Sequence, residues 1–262
     1  MSSANYLQSL FGLDGQTAIV IGATGVLGGA LADGIAQAGA HVIVAGRSEE
    51  RGAARVAAIT KLGGSAEFIS VEASNRESLK ELLAATLAKH GKVDMLVNCA
   101  GVNSATPYEQ ITDEDWQRVI DTNLTATHIA CQLFAPQMAQ QEHGGAILNI
   151  GSVSAHLPLS RVYAYSASKA AVVNLTQNVA REYATKKVRV NVLCPGFFPA
   201  EQNRKILDPA RVENIMRGTP MNRFGEPDEL IGATLLLLSR KAGSFITGAD
   251  YYVDGGFTGM RF

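Results

Sequence analysis

The sequence predicts a single α/β domain built on a doubly wound, parallel, seven-stranded sheet with helices on both faces. Three observations carry this reading. Short β-branched runs alternate with longer helical patterns along the whole chain. The runs are continuously apolar instead of alternating, which marks strands covered on both faces. No Pro/Gly/Ser-rich stretch and no internal repeat divides the 262 residues, so 1–262 reads as one domain. With 47% hydrophobic and 18% charged residues and a mean hydropathy of +0.07, the chain has the apolar content for a large core.

Taken in order, "TAIVIG" (17–22) is a buried strand running into a Gly-rich turn. Residues 26–39 are helical and end on a Gly stop signal. "HVIVAG" (41–46) is the second strand, 48–62 a helix, and "AEFISV" (66–71) the third strand. An amphipathic helix over 76–91 closes on Gly91, and "DMLVNCAG" (94–101) is a strand with its turn. Residues 112–139 read as one helix, with Thr112 as N-cap and Asp115 three residues on, close to a capping box. "AILNIG" (146–151), a long helix over 163–184 and "VRVNVLCPG" (188–196) follow. Helices over 201–217 and 227–239 precede the closing strand "DYYVDGG" (250–256).

Several function classes drop out on composition. Lys+Arg 23 against Asp+Glu 24 gives a net charge of -1 with no basic stripe, which speaks against a nucleic-acid partner. Cys99, Cys131 and Cys194 are far apart, odd in number and in no metal-ligand spacing, so they read as small apolar residues in a reducing compartment, and no metal is expected. Residues 1–14 form an N-terminal extension without the basic and apolar regions of a signal peptide. The apolar runs fall short of the roughly 20 residues that span a bilayer. The expectation is a soluble cytoplasmic protein without membrane contact.

Gly22, Gly25, Gly28 and Gly29 lie in the first strand-to-helix turn. Without side chains there, the backbone can approach a pyrophosphate, which the free N–H groups and positive dipole end of the helix favour. An NAD site usually places an acid at the end of strand two, about 20 residues on, to bind the ribose 2′-hydroxyl. Here that place reads Ala45-Gly46-Arg47-Ser48. Arg47 offers a planar fork of donors to a 2′-phosphate, with Ser48 beside it. The site therefore favours NADP(H), with NAD(H) as the alternative.

Tyr165 and Lys169 lie four apart in a helical stretch and so share one face, one turn apart. A nearby ammonium favours tyrosinate and lowers the tyrosine pKa toward neutrality, where proton transfer is efficient. Tyr163 has Ala167 at the matching position and reads as packing. Ser152, just past strand 146–151, can hydrogen-bond a substrate carbonyl oxygen held against the tyrosine. Asn123, a poor helix former in mid-helix, reads either as a surface polar residue or as the holder of a water relaying protons to Lys169.

Together these pieces, with "NCAG" at 98–101, "PG" at 195–196 and "VDGG" at 253–256, resemble the short-chain dehydrogenase/reductase family from about Gly12 to Phe262. The resemblance implies a single-domain Rossmann fold and a catalytic tetrad of Asn123, Ser152, Tyr165 and Lys169, with Lys169 also holding the nicotinamide ribose. It implies a cofactor cradle of Gly22, Thr24, Gly25, Val26, Leu27, Gly28, Arg47, Ser48, Glu72, Ala73, Asn98, Ala100, Gly101, Tyr165, Lys169, Pro195, Gly196 and Phe198. It also suggests a homotetramer or homodimer built through the two long helices and the last strand. The chain departs from the family pattern at Ile21, Gly25, Val26, Cys99 and Ala200, and Glu72 stands where an Asp commonly faces the adenine.

"GATGVLGG" (22–29), "PGFFPAEQNR" (195–204) and "TPMNRFGEPDELIGA" (219–233) narrow the resemblance to the D-mannonate oxidoreductase (fructuronate reductase) type. That implies hydride transfer between nicotinamide and the carbonyl or secondary alcohol of a sugar acid or keto sugar. Residues 197–225 would form the substrate lid, and Arg161, Gln202 and Arg204 are candidate substrate contacts. His156 could face the pocket, although a loop histidine is the plainer reading. A 3-oxoacyl-thioester (acyl carrier protein) reductase shares the tetrad, but no clear basic patch for an acidic carrier stands out. A non-catalytic dinucleotide sensor or scaffold would be marked by loss of Tyr165 or Lys169, and both are present.

Overall fold

The computed structural model describes residues 3–198 and 209–259. A helix, α1 (Ser3–Phe11), precedes β1 (Thr17–Ile21), α2 (Val26–Gln37), β2 (His41–Gly46), α3 (Glu49–Lys61), β3 (Ser65–Ser70), α4 (Arg76–His90) and β4 (Met95–Asn98). The second half runs α5 (Asp113–Ile120), α6 (Ala126–Ala139), β5 (Gly145–Ile150), α7 (Tyr163–Tyr183), β6 (Val188–Pro195), α8 (Pro209–Gly218), α9 (Ile231–Leu238) and β7 (Asp250–Val253). The strands form one seven-stranded sheet in the order β3-β2-β1-β4-β5-β6-β7, parallel at every pairing. The order reverses between β1 and β4, so a crevice opens beyond the carboxyl ends of these two strands.

The continuous apolar strands do what a two-sided sheet requires. Successive side chains point to opposite faces. Ala18, Val20, Val42, Val44, Val97 and Leu148 pack under α2 and α9, against Leu31, Ile35 and Leu237. Ile19, Ile21, Ile43, Leu96, Ile147 and Val190 pack on the other face against α4 and α6, including Leu79, Phe134 and Met138. Both layers are essentially dry, and that rigid double core fixes the strand ends where chemistry is placed.

Caps set the element boundaries. Ser48 accepts from the Arg51 N–H at the start of α3, Asn75 from Ser78 at α4, and Thr112 from Asp115 at α5, as its sequence position predicts. Arg189 reaches across from β6 to the open end of α9, donating to the carbonyls of Leu237 (2.6 Å), Leu238 (3.0 Å) and Ser239 (3.0 Å). Burial lowers its pKa to about 10.

Four expectations need correction. Residues 3–11 form a helix where only an extension was expected. The 112–139 helix is interrupted by a π-helical turn at Asp121–Thr125. The β7 strand ends at Val253, so Asp254–Gly256 form a turn beyond the sheet, whereas β4 ends at Asn98 ahead of the turn expected there. The 227–239 helix opens as a 3₁₀ turn at Pro227–Leu230, where Pro at the first turn is tolerated. Of the 201–217 helix, 209–217 is seen within α8; 201–208 lie outside the described residues.

Candidate active site

The β1–α2 turn is shaped for close backbone approach. Gly22 has φ +90°, and a β-carbon there would lie 2.7 Å from the Ala100 nitrogen. A β-carbon on Gly28 would fall 2.4 Å from the Gly22 oxygen. The first turn of α2 therefore rests on the backbone of the preceding turn. The N–H groups of Val26, Leu27 and Gly28 belong to that first turn, which has no intrahelical acceptors, and they suit an anion. This cradle, which side chains would fill, fits a dinucleotide pyrophosphate.

A cleft of ≈350 Å³ runs from this turn, lined by Gly22, Thr24, Gly25, Arg47, Glu72, Ala73, Ala100 and Gly101 among others. Ser48 sits at its edge with its oxygen engaged as the α3 cap. Two charged lining side chains went unrecognised in the sequence, Arg51 and Arg118. Arg51 lies four residues after Arg47, a helical spacing that could have signalled a second cation. Glu72, two residues beyond β3, approaches Arg47 at 3.6 Å, and both side chains are well exposed.

Asn98 does not line this cleft. Its amide donates to Asn149 Oδ1 at 2.8 Å, and Asn149 donates in turn to Thr176 Oγ1 at 2.9 Å. Its side chain is a buried cross-strand tie that braces the sheet. Pro195 ends β6, and Gly196 follows with a β-carbon site 2.7 Å from the Asp254 backbone. Phe198 lies against Gly225 and lines a separate ≈490 Å³ cavity with Tyr251 and Tyr252.

The tetrad residues converge beside the cleft. Lys169 is buried, its Nζ donates to the Ile150 carbonyl at 2.7 Å and stands 5.6 Å from the centre of the Tyr165 ring. Tyr165 shares a hydrogen bond with Ser152. Ser152 Oγ also meets the Ser154 N–H and hydroxyl, each at 3.1 Å. A β-carbon placed on Gly101, which lines the cleft, would lie 3.4 Å from Asn123 Oδ1 and 3.7 Å from Lys169 Nζ, so both residues stand directly behind that lining.

Asn123 is fully buried inside the π turn, which overturns the surface reading. Its Oδ1 accepts from the Val102 N–H (2.8 Å) and its Nδ2 donates to the Val102 carbonyl (3.0 Å) and Ser168 Oγ (3.0 Å). The extra residue of a π turn re-aims a side chain that a regular helix would turn elsewhere, and such turns favour functional sites. Asn123 thus ties the Gly101–Val102 loop to α7.

The expected drop in the Tyr165 pKa is also corrected. Burial raises it above the ordinary 10, with the Ser152 hydrogen bond opposing. Burial equally lowers Lys169 to about 8. Both effects have one cause, removal of charge from water. The pair consequently keeps its proton on the phenol at neutral pH.

Arg161, in the loop before α7 with φ +61°, lines a ≈380 Å³ cavity with Leu159, Phe197, Arg211, Asn214 and Phe257. Arg211 and Asn214 on α8 are further polar groups there that the sequence did not single out. Gln202 and Arg204 lie outside the described residues. His156 pairs instead with Asp250 at 3.3 Å and packs on Tyr252. Tyr163 stacks edge-on with Tyr108 at 5.0 Å, as packing. All three cysteines are free, and burial pushes Cys99 to about 11 and Cys131 and Cys194 to about 12. No helix among the described residues is long and apolar enough to cross a membrane.

The family model described as Enoyl-(Acyl carrier protein) reductase matches residues 22–258. The "Uncharacterized oxidoreductase UxuB" of Bacillus subtilis is 35% identical over 266 residues, covering 94% of this chain and 95% of that protein. The 3beta-hydroxysteroid dehydrogenase 1 of Eggerthella lenta is 36% identical, covering 94% and 95%. Among solved structures, a gluconate 5-dehydrogenase from Burkholderia cenocepacia J2315 in complex with NADP and tartrate superposes with a TM-score of 0.92 at 32% identity, covering 97% of this chain and all of that one. The chain belongs to the short-chain dehydrogenase/reductase family of oxidoreductases, which act on CH–OH groups with a dinucleotide cofactor.

Proposed function

We propose that this protein is an NADP(H)-preferring reductase that interconverts a ketone and a secondary alcohol on a sugar acid or keto sugar, of the fructuronate/mannonate kind. The observation that carries the reading is the buried Ser152–Tyr165–Lys169 cluster beside a glycine-floored cleft with Arg47 on its rim. When bound, the nicotinamide supplies the hydride. Ser152 and Tyr165 hold the substrate oxygen, and Tyr165, which retains its proton, delivers it as charge develops there. The Lys169 ammonium 5.6 Å from the ring eases that proton's departure. Asn123 keeps the Gly101–Val102 loop in place against Lys169.

Arg47 and Arg51, opposite the pyrophosphate cradle, support NADP(H) over NAD(H). Arg161 and Arg211 in the cavity between the pre-α7 loop and α8 support an anionic, hydroxylated substrate, since guanidinium recognises carboxylate in a planar fork. The relative solved with NADP and tartrate is named a gluconate dehydrogenase, which agrees at the level of substrate class. The mannonate-type likeness of the sequence motifs goes further than those relatives do. Assembly into a dimer or tetramer, and a cytoplasmic location, belong to the same reading.

Acyl-thioester reduction is the second reading, favoured by the description of the matching family model and by the apolar part of the same cavity, Leu159, Phe197 and Phe257. Oxidation of NADPH and NADH is measured against fructuronate, other keto sugars and sugar acids, and an acetoacetyl thioester. Turnover confined to sugar acids or keto sugars upholds the proposal. Turnover only with the thioester replaces it with the second reading. Tight cofactor binding with no turnover of any carbonyl would favour a dinucleotide sensor.

A further inference from the structure

We propose that His41, Glu67 and His90 form a binding site for one divalent transition metal, of the zinc type, at the end of the sheet opposite the cofactor cleft. The three residues come from separate elements. His41 opens β2, Glu67 lies on β3 beside it, and His90 is the last residue of α4, which returns to this edge. Parallel strands put their amino ends here and their carboxyl ends at the catalytic crevice. No short sequence motif marks the trio, since 26 positions separate the first two and 23 the last two.

One ligand atom from each residue lies within 4.8 Å of the others, the one such grouping of three or more His, Cys, Asp or Glu among the described residues. His41 Nδ1 is held by Ser65 Oγ at 2.7 Å, which leaves Nε2 turned toward the cluster. That Nε2 is buried and has no hydrogen-bond partner. Its neighbour is Glu67 Oε1, 3.6 Å away. With Nδ1 taken up by Ser65, Nε2 is the His41 atom left to bind an ion, and it faces the Glu67 carboxylate across a gap wider than a hydrogen bond. Two ligands on tetrahedral zinc, with bonds of about 2.0–2.1 Å, stand about 3.3 Å apart.

His90 Nε2 is already 2.6 Å from the same carboxylate oxygen, and the two imidazole rings stack at 4.5 Å. Two imidazoles and a carboxylate match a borderline cation better than calcium or magnesium, which prefer oxygen. The carboxyl end of α4 adds a favourable dipole for positive charge. The opposing feature is Lys89, whose ammonium pairs with the other Glu67 oxygen. It would compete with a metal, which gives the site a distinctive test. A bound ion would clamp β2, β3 and α4, the part of the sheet that carries Arg47 and Glu72 at its far end.

Untagged, chelator-stripped full-length protein is titrated with zinc chloride by calorimetry and thermal unfolding. The expected result is one zinc per chain and a Tm that rises with zinc concentration. His41→Ala and His90→Ala should each weaken binding by about 100-fold or more, beyond the roughly 10–100-fold typical of losing an outer-sphere partner. Lys89→Met, a surface change, should tighten it severalfold, and cobalt(II) should give the absorption of a tetrahedral site in that variant. Absence of stoichiometric zinc in both the parent and Lys89→Met overturns the proposal. So does binding that survives loss of both histidines, which would place the ion elsewhere.

Discussion

Replacing Arg47 by Ala tests whether this side chain reads the 2′-phosphate that separates NADP from NAD. A hydrogen bond to a charged partner is worth about 1.5–3 kcal/mol. Arg47 is 73% exposed, so solvent screening brings the expected loss to about 1–2 kcal/mol. At about 1.4 kcal/mol per tenfold, NADPH should bind roughly 5- to 30-fold more weakly. NADH lacks the phosphate and should change less than about twofold by the same reasoning. Glu72, 3.6 Å from Arg47, supplies an internal control of sign. It must share its cation with the incoming phosphate and repels it directly, so Glu72→Gln should tighten NADPH while Arg47→Ala weakens it. Fluorescence titration of both nucleotides against both variants reads the four constants. Equal losses for NADPH and NADH in Arg47→Ala would refute the assignment. An Arg51→Ala variant carrying the whole selective loss would shift the role by one helical turn.

Four further outcomes follow from the Ser152–Tyr165–Lys169 cluster and Asn123. Tyr165→Phe should cut kcat by at least about 10²- to 10⁴-fold, the range of a general acid, while NADPH titration is unchanged; near-normal turnover would remove Tyr165 from its role. Carbonyl reduction should decline as pH rises through about 8, where the buried Lys169 gives up the charge that assists Tyr165, and a flat profile to pH 10 would refute that coupling. The stability effect runs the other way: Lys169 binds a proton less readily folded (about 8) than unfolded (10.5), so unfolding free energy should rise between these values. Asn123→Ala orphans both the N–H and the carbonyl of Val102, each costing about 1–3 kcal/mol, so urea denaturation should show a loss of about 2–4 kcal/mol; an unchanged midpoint would contradict the geometry.

The sheet was legible because two-sided burial writes itself as continuous apolar runs, and all seven strands fall where "TAIVI", "HVIVAG" and their successors predict them. The glycine turn and the shared face of Tyr165 and Lys169 were legible because they depend on local spacing along one turn or one helix. Glu72 and Arg211 were not seen beside Arg47 and Arg161, because each arrives from a different element and the sequence carries no distance between elements, whereas Arg51 could have been read from its spacing to Arg47. The tie from Asn98 to Asn149 was invisible for the same reason: its partner lies across the strand pair, 51 positions away. The π turn escaped notice because one extra residue leaves the apolar periodicity almost intact while redirecting Asn123 inward. The α1 helix lies outside the βα rhythm that made the other elements readable.

The corrected pKa directions bear on which way the reaction runs. A tyrosinate poised near neutrality would accept a proton as readily as give one, and such a site would serve alcohol oxidation. Here burial keeps the Tyr165 proton in place and brings Lys169 to about 8, so the cluster at pH 7 is a neutral phenol beside a cation. That is the resting state of an acid waiting for a developing alkoxide. Oxidation would need the phenolate first, at an energetic cost set by the same burial. The rate ratio of reduction to oxidation, measured at saturating cofactor on one substrate pair, should therefore fall as pH rises from 6 to 9. Because a proton is consumed whichever group delivers it, the fall alone does not identify Tyr165; near-parental turnover of Tyr165→Phe in both directions across that pH range would mean that Tyr165 is not the group whose proton is transferred.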